Sequence, residues 1–419
     1  MDVTLRRWAD EDFPLLEAFN TPEMTAHLGG PETAQQLVER QARYLRLNES
    51  GEARMFRVDV DGVPAGGIGY WQVDHDGREA FETGWSTLPQ FQGLGVARAA
   101  LRLVVAQVRS DGRRDLLVAY PGIDNPPSNA LCRGAGFVAT GEGSEPWRGG
   151  ILHFRTWELD LSPLDLAGRM PVLDERFTGD ALDETVWWPH YTPHWSSRAA
   201  SAARYHVDDG LELRIDVDTA PWAPEWDGDV RVSHLQTGQH SGAVGSGEGQ
   251  HRFRDGLVVR EQQTERRLML PHHGVIEVRM SAIRHPDAMV AFWPIGFEAR
   301  PDDCGEICVA EIFGSEIEDD GGWVGVGVKP QRDPRLREDF EKIRIDGDLT
   351  APHDYAVEWT PDLLRFFVDG QWVKSVGQRL DYPVQLMLDV YELPRPDGHR
   401  DLAALPHVLR VERVRVFAP

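Results

Sequence analysis

Three cysteines, Cys132, Cys304 and Cys308, are all that the 419 residues contain. An odd number at these spacings builds no disulfide framework, and without a CxxC pair it suggests no zinc site. Lysine is equally scarce, at Lys329, Lys342 and Lys374. The 44 basic residues face 68 acidic ones, for a formal charge of −24. That argues against a nucleic-acid backbone as partner, which requires clustered Lys and Arg. No stretch reaches the ~20 apolar residues of a membrane helix. The opening MDVTLRRWADEDF has no apolar signal-peptide run. These absences predict a cytoplasmic chain with neither nucleic acid nor membrane as partner. What is present is 41% hydrophobic residues, enough for a sizeable core. At roughly 100–200 residues per domain, the length predicts two or three domains.

The segment 162–171, with two prolines and a glycine, reads as a linker between domains at 1–161 and 172–419. Before it, strand-like and helix-like stretches alternate, an α/β pattern. TLRRW, DLLVAYP and HFRTWELDL read as strands. TAQQLVERQARYLRL and GVARAALRLVVAQVRS have helical spacing. The run from Met55 turns as a hairpin near Asp61-Gly62. After the linker, short alternating segments such as GVIEVRMSA, EICVAEIF and LLRFFVDG follow one another at turn-rich intervals. They predict an all-β sandwich or barrel.

Two segments carry chemistry. Gln90-Phe91-Gln92-Gly93-Leu94-Gly95-Val96-Ala97 lies between a strand and a helix. Glycine at 93 and 95 permits a tight turn. The amides that follow converge at a helix N-terminus, which suits a pyrophosphate. QFQGLG, with Asn125-Pro126-Pro127-Ser128-Asn129 and Gly136-Phe137, resembles the GNAT family of N-acetyltransferases over about 3–161. The resemblance implies a mixed sheet flanked by helices and acetyl-CoA as co-substrate. It places Gln90, Gln92, Gly93, Gly95 and Ala97 on the pyrophosphate. Backbone at Ser86 to Leu88 would lie along the pantetheine arm, with Asn125 and Ser128 beside the thioester. Transfer to an amine requires a base, for which Glu82 on the preceding strand is the candidate. Ser128 is the candidate donor to the departing thiolate. Cys132 reads as a packing residue. Glu79, Asp74 and Asp76 lie near, but acids are too common in this chain to identify an acceptor.

The second segment is Gly305-Glu306-Ile307-Cys308-Val309-Ala310-Glu311. In a regular strand Glu306 and Glu311 face opposite ways. A β-bulge between them returns both to one face. Two close carboxyls push one pKa up, so that one donates a proton while the other stays ionised. The segment resembles the E-x-D-x-x-E signature of glycoside hydrolase family 16. His353-Asp354-Tyr355 with Trp359, and Val368-Asp369-Gly370, agree with that family. The resemblance covers about 172–418 and implies a concanavalin-like jelly roll with a sugar groove. It makes Glu306 the nucleophile and Glu311 the acid/base. Cys308 stands where that family has Asp, and a thiol is a poor hydrogen-bond partner, which predicts weak, altered or absent hydrolysis. Trp293 is expected to line the groove and Cys308 to meet the sugar; Trp187 and Trp359 are expected in the core. His272, His273 and His353 lack metal-ligand spacing, and no metal is expected.

The expected fold is therefore a multidomain chain, a GNAT α/β domain followed by a jelly roll. The expected function is acetyl transfer from acetyl-CoA to an amine of a small molecule or protein. The second domain would hydrolyse a glycan or glycosylated small molecule, or serve as a non-catalytic binding or scaffolding sandwich. One resolution of this pairing is that both domains act on one molecule containing an amino sugar.

Overall fold

The computed structural model describes residues 1–148, 150–395 and 397–419. The chain divides into two compact units, Met1–Ser162 and Pro163–Pro419. Among the described residues no helix is long and apolar enough to cross a membrane.

The first unit is a seven-stranded sheet with helices. In chain order it contains β1 (Val3–Arg7), α1 (Phe13–Phe19), α2 (Ala34–Ser50), β2 (Ala53–Val60), β3 (Val63–His75) and β4 (Arg78–Thr87). Then follow α3 (Val96–Asp111), β5 (Leu116–Ala119), α4 (Pro126–Gly134), β6 (Val138–Trp147) and β7 (Gly150–Asp160). The strand order is β1-β2-β3-β4-β5-β7-β6. Thr33 caps α2 through the Gln36 amide, and Gln36 returns the bond in a capping box. The apolar stripe of α3, with Val96, Ala100, Leu101, Val104 and Val108, is buried.

One pairing shapes this unit. β4 and β5 run parallel and pair only at Phe81↔Leu117 and Glu82↔Val118. Past Glu82, β4 continues to Thr87 paired with β3 alone. The sheet therefore splits there, leaving backbone of β4 without a strand partner on the β5 side.

The second unit contains two eight-stranded sheets and a two-stranded pairing of Gly238–Gln239 with Arg266–Arg267. Between the two large sheets lies one large core, in which Trp187, Phe292, Trp359, Phe366 and Val390 are at most 1% exposed. The functional sheet places Arg231–Gln236, Met387–Glu392, Ala288–Phe292, Glu306–Phe313 and Gly321–Lys329 side by side, with Asp339–Asp346 beyond. Its other face carries a cluster of Tyr191, Trp195, Trp222, Trp293 and Tyr391.

The strand Glu306–Phe313 contains the bulge. Cys308 pairs with Gly327, but the next pair is Glu311 with Gly325, so Val309 and Ala310 are accommodated opposite a single residue. Ile307, Val309, Ala310 and Ile312 all enter the core. Consecutive core residues at 309 and 310 are what a bulge produces. Gly325 is required by this arrangement: a Cβ there would sit 2.4 Å from the Phe340 ring and 3.3 Å from Glu311 Cβ. Gly325→Ala is expected to destabilise the protein by about 1–3 kcal/mol, read as a lower melting temperature of the full chain.

Candidate functional sites

At the split, Gly93 (φ 73°) and Gly95 (φ 81°) adopt left-handed backbone. A Cβ at either position would meet nothing within 4 Å, so the turn is an open cradle. Gly95 occupies the N-cap of α3 and supplies no side chain to the first-turn amides. Those amides, Ala97 included, are the donors an anion would use. The Gln92 side chain donates to the Thr87 carbonyl at 2.9 Å, so it braces the turn. Gln90 is exposed beside it. Ser86 pairs with Gly67 of β3. Leu88 departs from expectation: its amide donates to Ala65 O at 2.9 Å and its side chain is 9% exposed. It is spent within the sheet and offers no donor to a pantetheine arm.

Glu82 is half-buried on β4. It accepts from Trp71 Nε1 at 3.1 Å. Burial, partly offset by that N–H and reinforced by Glu145, pushes the carboxyl up to about 7. A carboxylate so poised exchanges protons near neutral pH. Asn125 is the N-cap of α4, its Oδ1 accepting from the Ser128 amide at 3.2 Å. That bond holds Asn125 to the helix end, and Ser128 sits half-buried in the first turn. Cys132 is fully buried, and its thiol is pushed up to about 12 by burial.

In the second unit, Glu306 and Glu311 meet at one cation. Lys329 Nζ lies 3.2 Å from Glu306 Oε1 and 2.8 Å from Glu311 Oε2. Those two oxygens are therefore no more than about 6 Å apart, a bound that admits the ~5–5.5 Å carboxyl spacing of retaining glycosidases and is too short for the ~6.5–9.5 Å of inverting ones. Gln331 Nε2 also donates to Glu306, at 2.6 Å. Burial raises the Glu306 pKa, against the pull of Lys329. Burial works against the Lys329 ammonium too, yet the charges of Glu306 and Glu311 outweigh it and raise its pKa. The ammonium also lies 4.5 Å from the centre of the Phe340 ring.

Cys308 lies between the two acids in sequence, and burial holds its thiol well above the ordinary value. Its Sγ approaches Gly325 O at 3.5 Å. It is 1% exposed, so it is part of the floor beneath the acids and not an open sugar contact. Trp293 is corrected in the same way. It is 6% exposed, and its Nε1 donates to Asp389 Oδ2 at 2.7 Å. His251 lies against it, ring centroids 5.0 Å apart. The indole belongs to the aromatic cluster and offers no free stacking face.

Sequence reasoning missed Lys329, Asp389 and His234. Ala291 pairs with Glu311 on one side and Asp389 on the other. His234 Nδ1 is 2.9 Å from Asp389 Oδ2, and both side chains are completely buried. Burial raises the Asp389 pKa well above the carboxylate range and lowers that of His234 well below the imidazole range. The one available signal was Lys329 itself, a rare lysine ending a glycine-alternating strand. Elsewhere, His272, His273 and Asp381 bring ligand atoms within 4.8 Å of one another. Arg379 already pairs with Asp381, at 2.6 Å, so the carboxylate has its cation.

Comparison with known proteins agrees with this division. Residues 2–138 match the acetyltransferase (GNAT) domain model, and residues 263–391 match glycosyl hydrolases family 16. No curated protein matches the chain. Among solved structures, the GlcNAcα1-4Gal releasing endo-β-galactosidase from Clostridium perfringens is 25% identical with a TM-score of 0.53. That match covers 62% of this chain and 64% of the other, so this chain spans under two thirds of that protein's length. A laminarinase from Flavobacterium sp. UMI-01 is 17% identical, covering 59% of this chain and all of the other at a TM-score of 0.43. A ribosomal L7/L12 alpha-N-protein acetyltransferase solved with coenzyme A is 17% identical, covering 38% of this chain and 93% of the other at a TM-score of 0.34. The chain thus joins an N-terminal acetyltransferase domain of the GNAT family to a C-terminal domain of glycosyl hydrolase family 16.

Proposed function

We propose that the first unit transfers acetyl from acetyl-CoA to an amine, with Glu82 as the base. The observation that carries this is the split itself. It joins an open glycine cradle at the N-terminus of α3 to a carboxyl raised to about 7 on the adjoining strand. A pyrophosphate fits the free amides of the α3 first turn, and the unpaired β4 backbone gives an extended arm a place to run. Acetyl-CoA supplies the activated thioester. Glu82 takes the amine proton, and Ser128 stands at the α4 end as donor to the thiolate. Acetyl-CoA is a cytoplasmic metabolite, and the reading therefore includes a cytoplasmic protein.

For the second unit we propose recognition of a β-linked glycan at Glu306 and Glu311, with retaining hydrolysis at a low rate. The carboxyl spacing favours that chemistry. A specific observation favours a second reading, carbohydrate binding without turnover. Lys329 contacts both acids, and Cys308 supplies no carboxylate between them. The Clostridium perfringens relative releases GlcNAcα1-4Gal, a product containing an N-acetylated amino sugar. On that basis we propose an amino-sugar amine as the acetyl acceptor, so that both units address one class of molecule.

These readings have distinct tests. The full-length protein, incubated with acetyl-CoA and a panel of amino sugars, aminoglycosides and unrelated amines, is expected to release thiol with the sugars. Acetylation of the unrelated amines alone would remove the sugar assignment. Glu82→Gln is expected to lower kcat/KM by about 10²–10³-fold. Because the base works ionised and its pKa is raised to about 7, the wild-type rate should fall about tenfold per pH unit below 7 and level off above it. On β-1,3/1,4-glucan and galactan oligomers, reducing-end release should be slow and abolished in Glu306→Gln. Cys308→Asp should raise it about tenfold or more by restoring a carboxyl between the acids. Binding without turnover in both the wild type and Cys308→Asp would establish the second reading.

A further inference from the structure

A second set of proton-handling groups lies on the sheet face that carries Glu82. The register aligns Trp71, Glu82, Val118 and Glu158 in one row across β3, β4, β5 and β7. Glu82 and Glu158 thus flank Val118. Two residues beyond Val118, Tyr120 leaves the end of β5 on the side of the split. Its hydroxyl is 2.8 Å from His75 Nδ1. His75 Nε2 is 3.1 Å from Glu158 Oε1, and Thr140 Oγ1 donates to the same Glu158 oxygen at 2.7 Å.

The polarity of this chain follows from its ends. With the Glu158 carboxylate oxygen taken as the acceptor, Nε2 of His75 carries the hydrogen. The neutral ring then presents a lone pair at Nδ1, and the Tyr120 hydroxyl donates to it. This is the arrangement of a hydroxyl, an imidazole base and an orienting carboxylate. The order is not required for packing: Tyr120 already meets Phe154 edge-on, with ring centroids 5.3 Å apart. Burial, together with Glu82, Asp76, Glu158 and Glu145, pushes the phenol up to about 12. The His75 side chain is 11% exposed, whereas that of Glu158 is 25% exposed, so the chain runs from the split toward water.

We propose that Tyr120, His75 and Glu158 form a proton relay that drains the acetyl-transfer site to solvent. This rests on Glu82 being the base of that site. When an ammonium acceptor is acetylated, a C–N bond forms and the thioester C–S bond breaks. Of the two protons the nitrogen sheds, one ends on the coenzyme A sulfur and one must leave. Tyr120 accepts the departing proton as its own passes to His75 Nδ1. The imidazolium passes its Nε2 proton to Glu158 Oε1, and the more exposed carboxyl releases it to water. Tyr120 and His75 are positioning residues for proton flow, acting through Glu82.

The test uses full-length protein with ¹⁵N-labelled histidine, the His75 signals being assigned by their loss in His75→Gln. Glu82→Gln is expected to shift the His75 Nδ1 resonance, and that shift should vanish when Tyr120→Phe is also present. A shift that persists without the hydroxyl means simple through-space electrostatics and overturns the relay, as does no shift at all. Glu158→Gln is a second variant that should abolish the protonated Nε2 signature. With an amine that the wild type acetylates, Tyr120→Phe should lower kcat/KM about tenfold and alter its pH profile. An unchanged profile overturns the relay while leaving Glu82 as base. Absence of acetylation by the wild type, or its full survival in Glu82→Gln, instead defeats the reading of Glu82.

Discussion

A carboxylate removed from water must find a proton, a cation or a hydrogen-bond donor. Each functional region of this chain is a different answer to that demand. Glu82 receives one indole N–H and little else, so it sits at the edge of protonation. Glu306 and Glu311 share an ammonium. Asp389 is enclosed by Trp293 and His234 and is held toward its neutral form. The same carboxyl group is poised near neutrality, ion-paired, or held as a neutral wall. What differs is the set of neighbours that the sheets deliver.

The neighbours are delivered by irregularities in otherwise regular sheets. In the first unit, a parallel contact only two residue pairs long opens the split beside Glu82. In the second, one extra residue in the strand Glu306–Phe313 rotates Glu311 onto the face of Glu306. Glycine at 325 then leaves room for the Phe340 ring beside Glu311. The sites depend on small residues and short pairings as much as on the acids.

This explains what was legible in the sequence. The glycine turn and its helix are contiguous, so QFQGLG disclosed its cradle. The bulge was legible because two acids five apart can share a face only if the alternation breaks. The partners were not legible. Lys329 lies 18 positions from Glu311 and His75 lies 45 from Tyr120, and strand pairing alone joins them. Burial was also beyond reach: Trp293 reads as a stacking ring until its N–H is seen bound to Asp389.

The bulge also binds the fate of the two acids to that of the core. Ile307, Val309, Ala310 and Ile312 fill the space between the sheets, and losing a single residue among them would turn a glutamate inward. Folding therefore enforces the spacing of Glu306 and Glu311 whether or not any bond is cleaved there. A lineage under no selection for hydrolysis would keep the outline of the two acids as a by-product of remaining folded. In such a lineage, chemistry would change first at positions the core ignores, such as 308 and 329.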